Sequence, residues 1–107
     1  MNLTLHQTHH QVADFGAIFT YLKENFDKNS EGLHVFPELF LCGYPLQDLC
    51  LQKPFVKAYQ KFLNDCENWI KKTLDPKKCC LLLGGLKYSL TSNGIPQKIE
   101  NVIYQFG

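Results

Sequence analysis

The sequence predicts an α/β fold with the element order β-α-β-α-β-β. Three observations support this prediction: strand-like and helix-like apolar patterns alternate along the chain, two stretches carry an apolar stripe at helical spacing, and one short run is continuously apolar. With 107 residues, of which 45% are apolar and 13% aromatic, the chain has the length and composition of one folded domain.

The first half of the chain predicts a strand, a helix and a second strand. Leu3 and Leu5 alternate with polar neighbours, which predicts a short strand with one buried face. Asp14 can cap a helix by accepting hydrogen bonds from its first amides. The apolar residues that follow recur at helical spacing, at Phe15, Ile18, Phe19, Leu22 and Phe26. Residues 33–36 predict the second strand, which Pro37 ends because proline has no N–H.

The second half predicts a long helix and two further strands. The helix begins near Pro54, since proline is favoured in a first helical turn. Its apolar face contains Phe55, Ala58, Tyr59, Phe62, Leu63, Cys66, Trp69 and Ile70. Residues 79–83 predict a strand covered on both faces, which Gly84-Gly85 is predicted to break. A glycine-containing turn then leads to a last strand over residues 99–106.

Charge and hydropathy exclude several classes of protein. The formal net charge of +1 provides no field that would attract nucleic acid or an anionic membrane. All 11 basic residues are lysines, which argues against a surface that reads phosphates or bases. No apolar run approaches the roughly 20 residues that span a bilayer, and the first residues do not resemble an export signal. A cytoplasmic protein that binds neither nucleic acid nor membrane is expected.

The cysteines and histidines do not have the spacing of a metal site. The five cysteines also lack the regular spacing of a disulfide framework, so we expect reduced, mostly buried thiols at Cys42, Cys50, Cys66, Cys79 and Cys80. His6, His9 and His10 share their segment with no carboxylate at a ligand spacing, so exposed loop histidines are the favoured interpretation. The sequence therefore implies no metal and no cofactor.

A single carboxylate, Glu38, follows the second predicted strand. Its neighbours Phe36, Leu39 and Phe40 are apolar, so the side chain is expected to be buried. Burial disfavours the charged form of a carboxyl group, which suits a general base that works near neutral pH. The ends of strands are also where open α/β sheets usually bind ligands. Glu38 is a candidate acid–base residue, and the alternative is a loop glutamate that caps backbone or faces water.

The segment around Glu38 resembles the first motif of the nitrilase superfamily of carbon–nitrogen hydrolases. The residues that carry the resemblance are Phe36-Pro37-Glu38-Leu39, Gly43-Tyr44-Pro45 and Asp48-Leu49. Within the superfamily, the string is most similar to the glutaminase domain of glutamine-dependent NAD synthetases. Further similarity lies in Leu3 to Gln7, Val12-Ala13-Asp14, Leu82 to Leu86 and Asn101-Val102-Ile103.

The resemblance implies amide hydrolysis by a Glu–Lys–Cys triad. The glutamate accepts the thiol proton, the thiolate attacks the amide carbon, the lysine stabilises the oxyanion, and ammonia leaves. Glu38 stands at the position of the glutamate, and Tyr44 at that of a tyrosine that helps line the glutamine pocket. The family's lysine and cysteine lie beyond the strand that residues 101–106 resemble. Residues 1–107 are therefore expected to be a partial hydrolase domain, the N-terminal portion of an α-β-β-α sandwich truncated before both residues.

Such a domain is expected to be inactive alone, and other interpretations stay open. Cys42 is close to Glu38 in sequence, but a small core residue is the favoured interpretation, and Lys87 is expected on the surface. The chain could be one part of a split hydrolase, completed by a second polypeptide at an unpaired strand edge. It could also be a non-catalytic remnant that acts as a homo-oligomeric or partner-binding module. Because a truncated sandwich exposes a sheet face, we expect a dimer or larger assembly, and the implied small-molecule partner is an amide such as glutamine.

Overall fold

The computed structural model describes residues 2–43 and 51–107, which form one four-stranded sheet and two helices. Along the chain these are β1 (Leu3–Leu5), α1 (Phe15–Asn25), β2 (Gly32–Val35), α2 (Lys53–Thr73), β3 (Cys79–Leu90) and β4 (Pro96–Phe106). The α/β fold is confirmed, and the described elements follow the predicted order. The correspondence to one portion of an α-β-β-α sandwich stays a prediction.

The sheet has the strand order β1-β2-β3-β4 and is mixed. β1 and β2 are parallel, as are β2 and β3, while β3 and β4 form an antiparallel hairpin. Each parallel pair is joined through a helix, because parallel neighbours need a long crossover. The hairpin turns at Gly94, whose φ of +77° suits glycine and whose N–H donates to the Thr91 carbonyl at 2.9 Å. The predicted turn is confirmed.

The helices form where their caps and apolar stripes predict. The Asp14 carboxylate accepts a hydrogen bond from the Ala17 N–H at 3.2 Å, which confirms the predicted cap of α1. α2 buries Phe55, Val56, Tyr59, Phe62, Cys66 and Ile70. Ala58, predicted in this stripe, is exposed, because the inward face is centred on Tyr59 and takes in Val56 instead. In the described part of the chain, neither helix has the combination of length and apolarity that crossing a membrane requires.

Among the described residues, most of the core lies on the face of the sheet that the helices cover. Leu81 and Leu83 are 1% and 0% exposed on the face that the helices cover, while Cys80 and Leu82 between them are partly exposed. Side chains of a strand alternate between the two faces, so the opposite face is the uncovered one. The prediction that this strand is covered on both faces is therefore wrong. No element among residues 2–43 and 51–107 covers the opposite face.

The first strand contributes to this uncovered face. Leu3 and Leu5 are 62% and 68% exposed, so the predicted buried face of β1 is wrong. The strand register shows why: Leu5 pairs with Val35, and Val35 pairs with Leu82, which places their side chains on one face. Further along the sheet, Ile103 of β4 is 72% exposed. Leu3 and Leu5 share one face of β1, as their alternation in the sequence predicts, but no described element packs against that face.

β3 runs without interruption through Gly84 and Gly85, so the predicted break there is wrong. Both glycines lie where other groups approach the strand closely. A Cβ on Gly85 would lie 2.8 Å from the hydroxyl oxygen of Tyr59. A Cβ on Gly84 would collide with the backbone that follows β2. The glycines therefore allow close packing on both sides of the strand and do not end it.

Tyr59 fixes α2 to β3. Its hydroxyl accepts a hydrogen bond from the Leu86 N–H at 2.9 Å and donates to the Leu86 carbonyl at 2.8 Å. Burial raises the pKa of Tyr59 far above its ordinary value, so the hydroxyl stays protonated and can donate. The Tyr104 hydroxyl donates to the same carbonyl at 2.6 Å. The Leu86 carbonyl of β3 is therefore hydrogen-bonded to side chains of both α2 and β4.

Candidate functional site

The segment that follows β2 stays attached to β3. The Phe36 N–H donates to the Leu82 carbonyl at 3.0 Å, and the Leu41 N–H donates to the Gly84 carbonyl at 2.9 Å. These bonds satisfy carbonyl groups along β3, including one beyond the last residue paired with β2. They also fix both ends of the short turn between them, which carries the candidate carboxylate.

Residues 37–40 form this turn, which the Phe40 N–H closes by donating to the Pro37 carbonyl at 3.1 Å. Leu39 has a φ of +57°, in the left-handed region that residues with a side chain rarely adopt. A Cβ on Gly84 would lie 2.5 Å from the Pro37 carbonyl oxygen and 2.7 Å from the Leu39 nitrogen. Backbone held in such a conformation is concentrated at functional sites. The turn and the glycine together set the direction of the Glu38 side chain.

Glu38 is solvent-exposed, so the prediction that its neighbours bury it is wrong. The reason is that its turn crosses the sheet face that no described element covers. One carboxylate oxygen, Oε1, accepts a hydrogen bond from Nδ2 of Asn101 at 2.5 Å. Both side chains border a cleft of about 490 Å³ whose other lining residues are Val35, Phe36, Leu82, Gly84, Val102 and Ile103. The carboxylate therefore lies in a largely apolar cleft, near the C-terminal end of a parallel strand.

Glu38 also borders a second cleft, of about 310 Å³, on the side of residues 8–10. Its wall includes His9, His10 and Phe40. The segment before α1 is held there because the Ala13 N–H donates to the Cys42 carbonyl at 2.8 Å. Glu38 is thus a lining residue of two clefts, of which the larger contains Asn101.

A chain of hydrogen bonds joins two histidines beside the site. Nδ1 of His6 lies 2.8 Å from the Tyr21 hydroxyl, and Nε2 of His6 lies 2.9 Å from Nδ1 of His34. Nε2 of His34 lies 2.8 Å from the Glu31 carbonyl oxygen, which can only accept. In the neutral pair, His34 therefore donates to this carbonyl, His6 donates to His34, and Tyr21 donates to His6. Desolvation, reinforced by His34, lowers the pKa of His6 below its ordinary value.

The structure differs from the prediction that His6, His9 and His10 are exposed loop histidines. His6 and His10 are half-buried, and only His9 of the three is exposed. The His6 ring stacks on Phe36, with centroids 4.1 Å apart and an interplanar angle of 4°. Within the described residues, no group of three or more His, Cys, Asp or Glu side chains is arranged to hold a metal ion.

The described cysteines lie in the hydrophobic core or at the edge of that core. Cys42 is completely buried, as expected for a small core residue, and none of the four described cysteines forms a disulfide. Burial raises the pKa of the Cys66 thiol to about 12 and also raises the pKa of Cys79. Cys80 is half-buried, and Cys50 lies outside the described residues. Thiols held in the protonated form are poor nucleophiles.

The structure brings together only part of the predicted site. Glu38 lies in a cleft, Lys87 is on the surface as predicted, and Tyr44 lies outside the described residues. The sequence identified Asn101 only as part of the predicted strand over residues 99–106 and of a segment that resembles the family, without a role at the site. Its approach to Glu38 depends on the hairpin register that pairs it with Leu86, which no local pattern reveals.

Comparison with known proteins relates part of the chain to one enzyme. No model of a known protein family matches the chain. Over 63 residues it is 41% identical to the glutamine-dependent NAD(+) synthetase of Aquifex aeolicus (strain VF5). This match covers 57% of the chain but 11% of the synthetase, so the chain spans about a tenth of the length of the curated relative it matches.

Proposed function

We propose that this chain supplies the general base, Glu38, of a nitrilase-type carbon–nitrogen hydrolase that releases ammonia from a small amide such as glutamine. The observation that carries the proposal is the position of the Glu38 carboxylate, which borders the larger cleft and accepts a hydrogen bond from Asn101. The similarity to a glutamine-dependent NAD(+) synthetase supports the proposal, because that protein is by name dependent on glutamine.

In the proposed reaction Glu38 takes the proton from a cysteine thiol. The thiolate attacks the amide carbon while a lysine stabilises the oxyanion, and the protonated Glu38 returns its proton to the amide nitrogen, so that the C–N bond breaks and ammonia leaves. Water then hydrolyses the thioester, which releases the acid and restores the thiol. A positioned general base of this kind typically contributes about 10²–10⁴-fold to the rate. Tyr44 is proposed to line the pocket of the amide.

The lysine and the nucleophilic cysteine are proposed to come from another part of the protein or from a second polypeptide. Among the described cysteines, Cys42 is the nearest to Glu38 in sequence, and its thiol is buried in the core. The outer edges of β1 and β4 are unpaired within the described sheet, so either strand offers a place for further structure to attach. The chain by itself is therefore expected to be inactive.

The proposal is tested by assaying ammonia release from glutamine with the purified chain and with the native assembly isolated from its source. We expect no release above the blank for the chain alone. The native assembly should release ammonia, and Glu38→Gln at the gene's own locus should lower kcat by about 10²–10⁴-fold. Glu31→Gln is the matched control, because Glu31 is exposed and contributes only its backbone carbonyl to the histidine chain.

Three results would contradict the proposal. They are a native assembly that releases no ammonia, full activity after Glu38→Gln, and an active isolated chain. The last result would overturn only the incompleteness of the site, provided that Glu38→Gln abolishes the activity.

A non-catalytic, self-associating module is the second candidate. It is favoured by the exposed apolar side chains of Leu3, Leu5 and Ile103 on the uncovered face of the sheet. Large exposed apolar surfaces usually mark an interface. In this case a stable oligomer would form, the native assembly would contain no other polypeptide, and it would release no ammonia from glutamine.

A further inference from the structure

We infer that Asn101 is a positioning residue for Glu38, an inference that rests on the proposed function of Glu38 as the base. Among the described residues, the hydrogen bond from Asn101 Nδ2 to Glu38 Oε1 is the polar contact recorded for this carboxylate. An exposed glutamate has several rotatable bonds and exchanges among rotamers unless a partner holds it. Asn101 therefore selects the rotamer in which the carboxylate borders the larger cleft.

The chemistry of an amide partner suits a base. A lysine or arginine in this place would stabilise the carboxylate through its charge and make it a weaker proton acceptor. The neutral amide of Asn101 donates one hydrogen bond without neutralising the carboxylate. This bond occupies Oε1, and among residues 2–43 and 51–107 no hydrogen bond is made to the second oxygen, Oε2, which is left to accept a proton. The pairing thus restricts the orientation of Glu38 while one oxygen is left for the reaction.

The two side chains are held against the same strand. Asn101 pairs with Leu86 in the middle of the β3–β4 hairpin, so its backbone position is fixed by neighbouring pairs on both sides. The Glu38 turn is fixed by its contact with Gly84, two residues earlier on β3. Since both groups are positioned by β3, the distance between them does not depend on the turn at the hairpin tip.

In the ammonia-releasing assembly, Asn101→Leu is expected to lower kcat by up to about 100-fold, the loss that misplacing a catalytic group can cause. The KM for glutamine should change little, because Asn101 acts by orienting Glu38 and does not itself contact the amide of the substrate. The inference also has a test in the isolated chain that needs no activity.

This test is solution NMR of the chain labelled with ¹⁵N and ¹³C. In the wild type, the Asn101 side-chain amide resonance should shift with pH, and this shift should be lost in Glu38→Gln. Three-bond couplings of Glu38 should indicate one rotamer in the wild type and averaged rotamers in Asn101→Leu. Gln105→Leu, an exposed residue of the same strand, is the control and should leave the Glu38 couplings unchanged.

The inference is overturned if the Asn101 amide resonance does not respond to Glu38, or if Asn101→Leu folds and keeps the wild-type Glu38 couplings. Should Asn101→Leu not fold, the titration in the wild type and in Glu38→Gln decides alone, because it leaves Asn101 in place. An Asn101 amide that senses Glu38 in a protein whose native assembly releases no ammonia would support the positioning and refute the proposed function.

Discussion

Gly84 faces the backbone of the turn that carries Glu38, and a methyl group at this position would meet three backbone atoms that cannot easily move. We predict that Gly84→Ala lowers the free energy of unfolding by about 1–3 kcal/mol, the typical cost of overpacking. The physical reason is the separation of 2.5 Å between an added Cβ and the Pro37 carbonyl oxygen. Urea unfolding measures the change, and the Asn101 side-chain amide resonance reports whether the turn has moved.

Gly16 is the matched control for this substitution. It lies in α1, and an added Cβ would meet no atom within 4 Å. Gly16→Ala is therefore expected to stabilise the protein by about 0.4–1 kcal/mol, because alanine restricts the unfolded chain. A Gly84→Ala protein as stable as the wild type would show that the turn yields easily and does not fix Glu38.

At the scale of single residues, sequence patterns identify Glu38 but not its surroundings. The Phe36-Pro37-Glu38-Leu39 string and its place after a strand single out the carboxylate. Its exposure depends on which sheet face the helices cover, and its partner lies 63 residues away in the sequence. Local spacing contains no information on either property, because both arise only when the sheet has formed.

At the scale of elements, the histidine chain connects β1, β2 and α1, and it should make stability depend on pH. Because the pKa of His6 is lowered from 6.5, the folded state binds its proton less tightly than the unfolded chain. Stability therefore rises with pH in this range and is lost as the pH falls below about 6.5. We predict that the melting temperature falls further between pH 8 and pH 5.5 in the wild type than in His6→Gln.

His9→Gln is the control for this comparison, because His9 is exposed and should leave the pH dependence as in the wild type. Thermal unfolding at a series of pH values provides the measurement. Equal pH dependence in the wild type and His6→Gln would show that His6 is not the group responsible.

Helix caps and apolar periodicity predict the elements well where the cause is local. Asp14 and the α2 stripe, apart from Ala58, are examples, since capping and helical spacing depend on neighbouring residues. The Gly84-Gly85 pair misleads because glycine is as typical of a break as of a close approach inside a strand. Distinguishing the two requires knowing that Tyr59 lies against one glycine and the Glu38 turn against the other.

At the scale of the whole molecule, the uncovered sheet face predicts self-association. Leu5 and Ile103 are 68% and 72% exposed on it, and they lie on opposite edge strands. We expect the purified chain to form dimers or larger species, which light scattering coupled to size exclusion measures. Leu5→Glu combined with Ile103→Glu should shift the population to monomers, because burying two carboxylates in an apolar interface is unfavourable.

Leu51→Glu is the control, since Leu51 is 60% exposed but lies just before α2 and not in the sheet. A monodisperse wild-type monomer at high concentration would contradict the expectation. So would an assembly that Leu51→Glu disrupts as strongly as the double variant does.

The separation of 63 residues between Glu38 and Asn101 has a consequence for biosynthesis. During translation, Glu38 and its turn leave the ribosomal exit tunnel well before β4 does. At that stage neither Gly84 nor the Asn101 side chain is in place to position the carboxylate. In nascent chains arrested before residue 101, the Glu38 side chain should therefore not be held in one orientation. The site can form only after the β3–β4 hairpin has been synthesised and has left the ribosome.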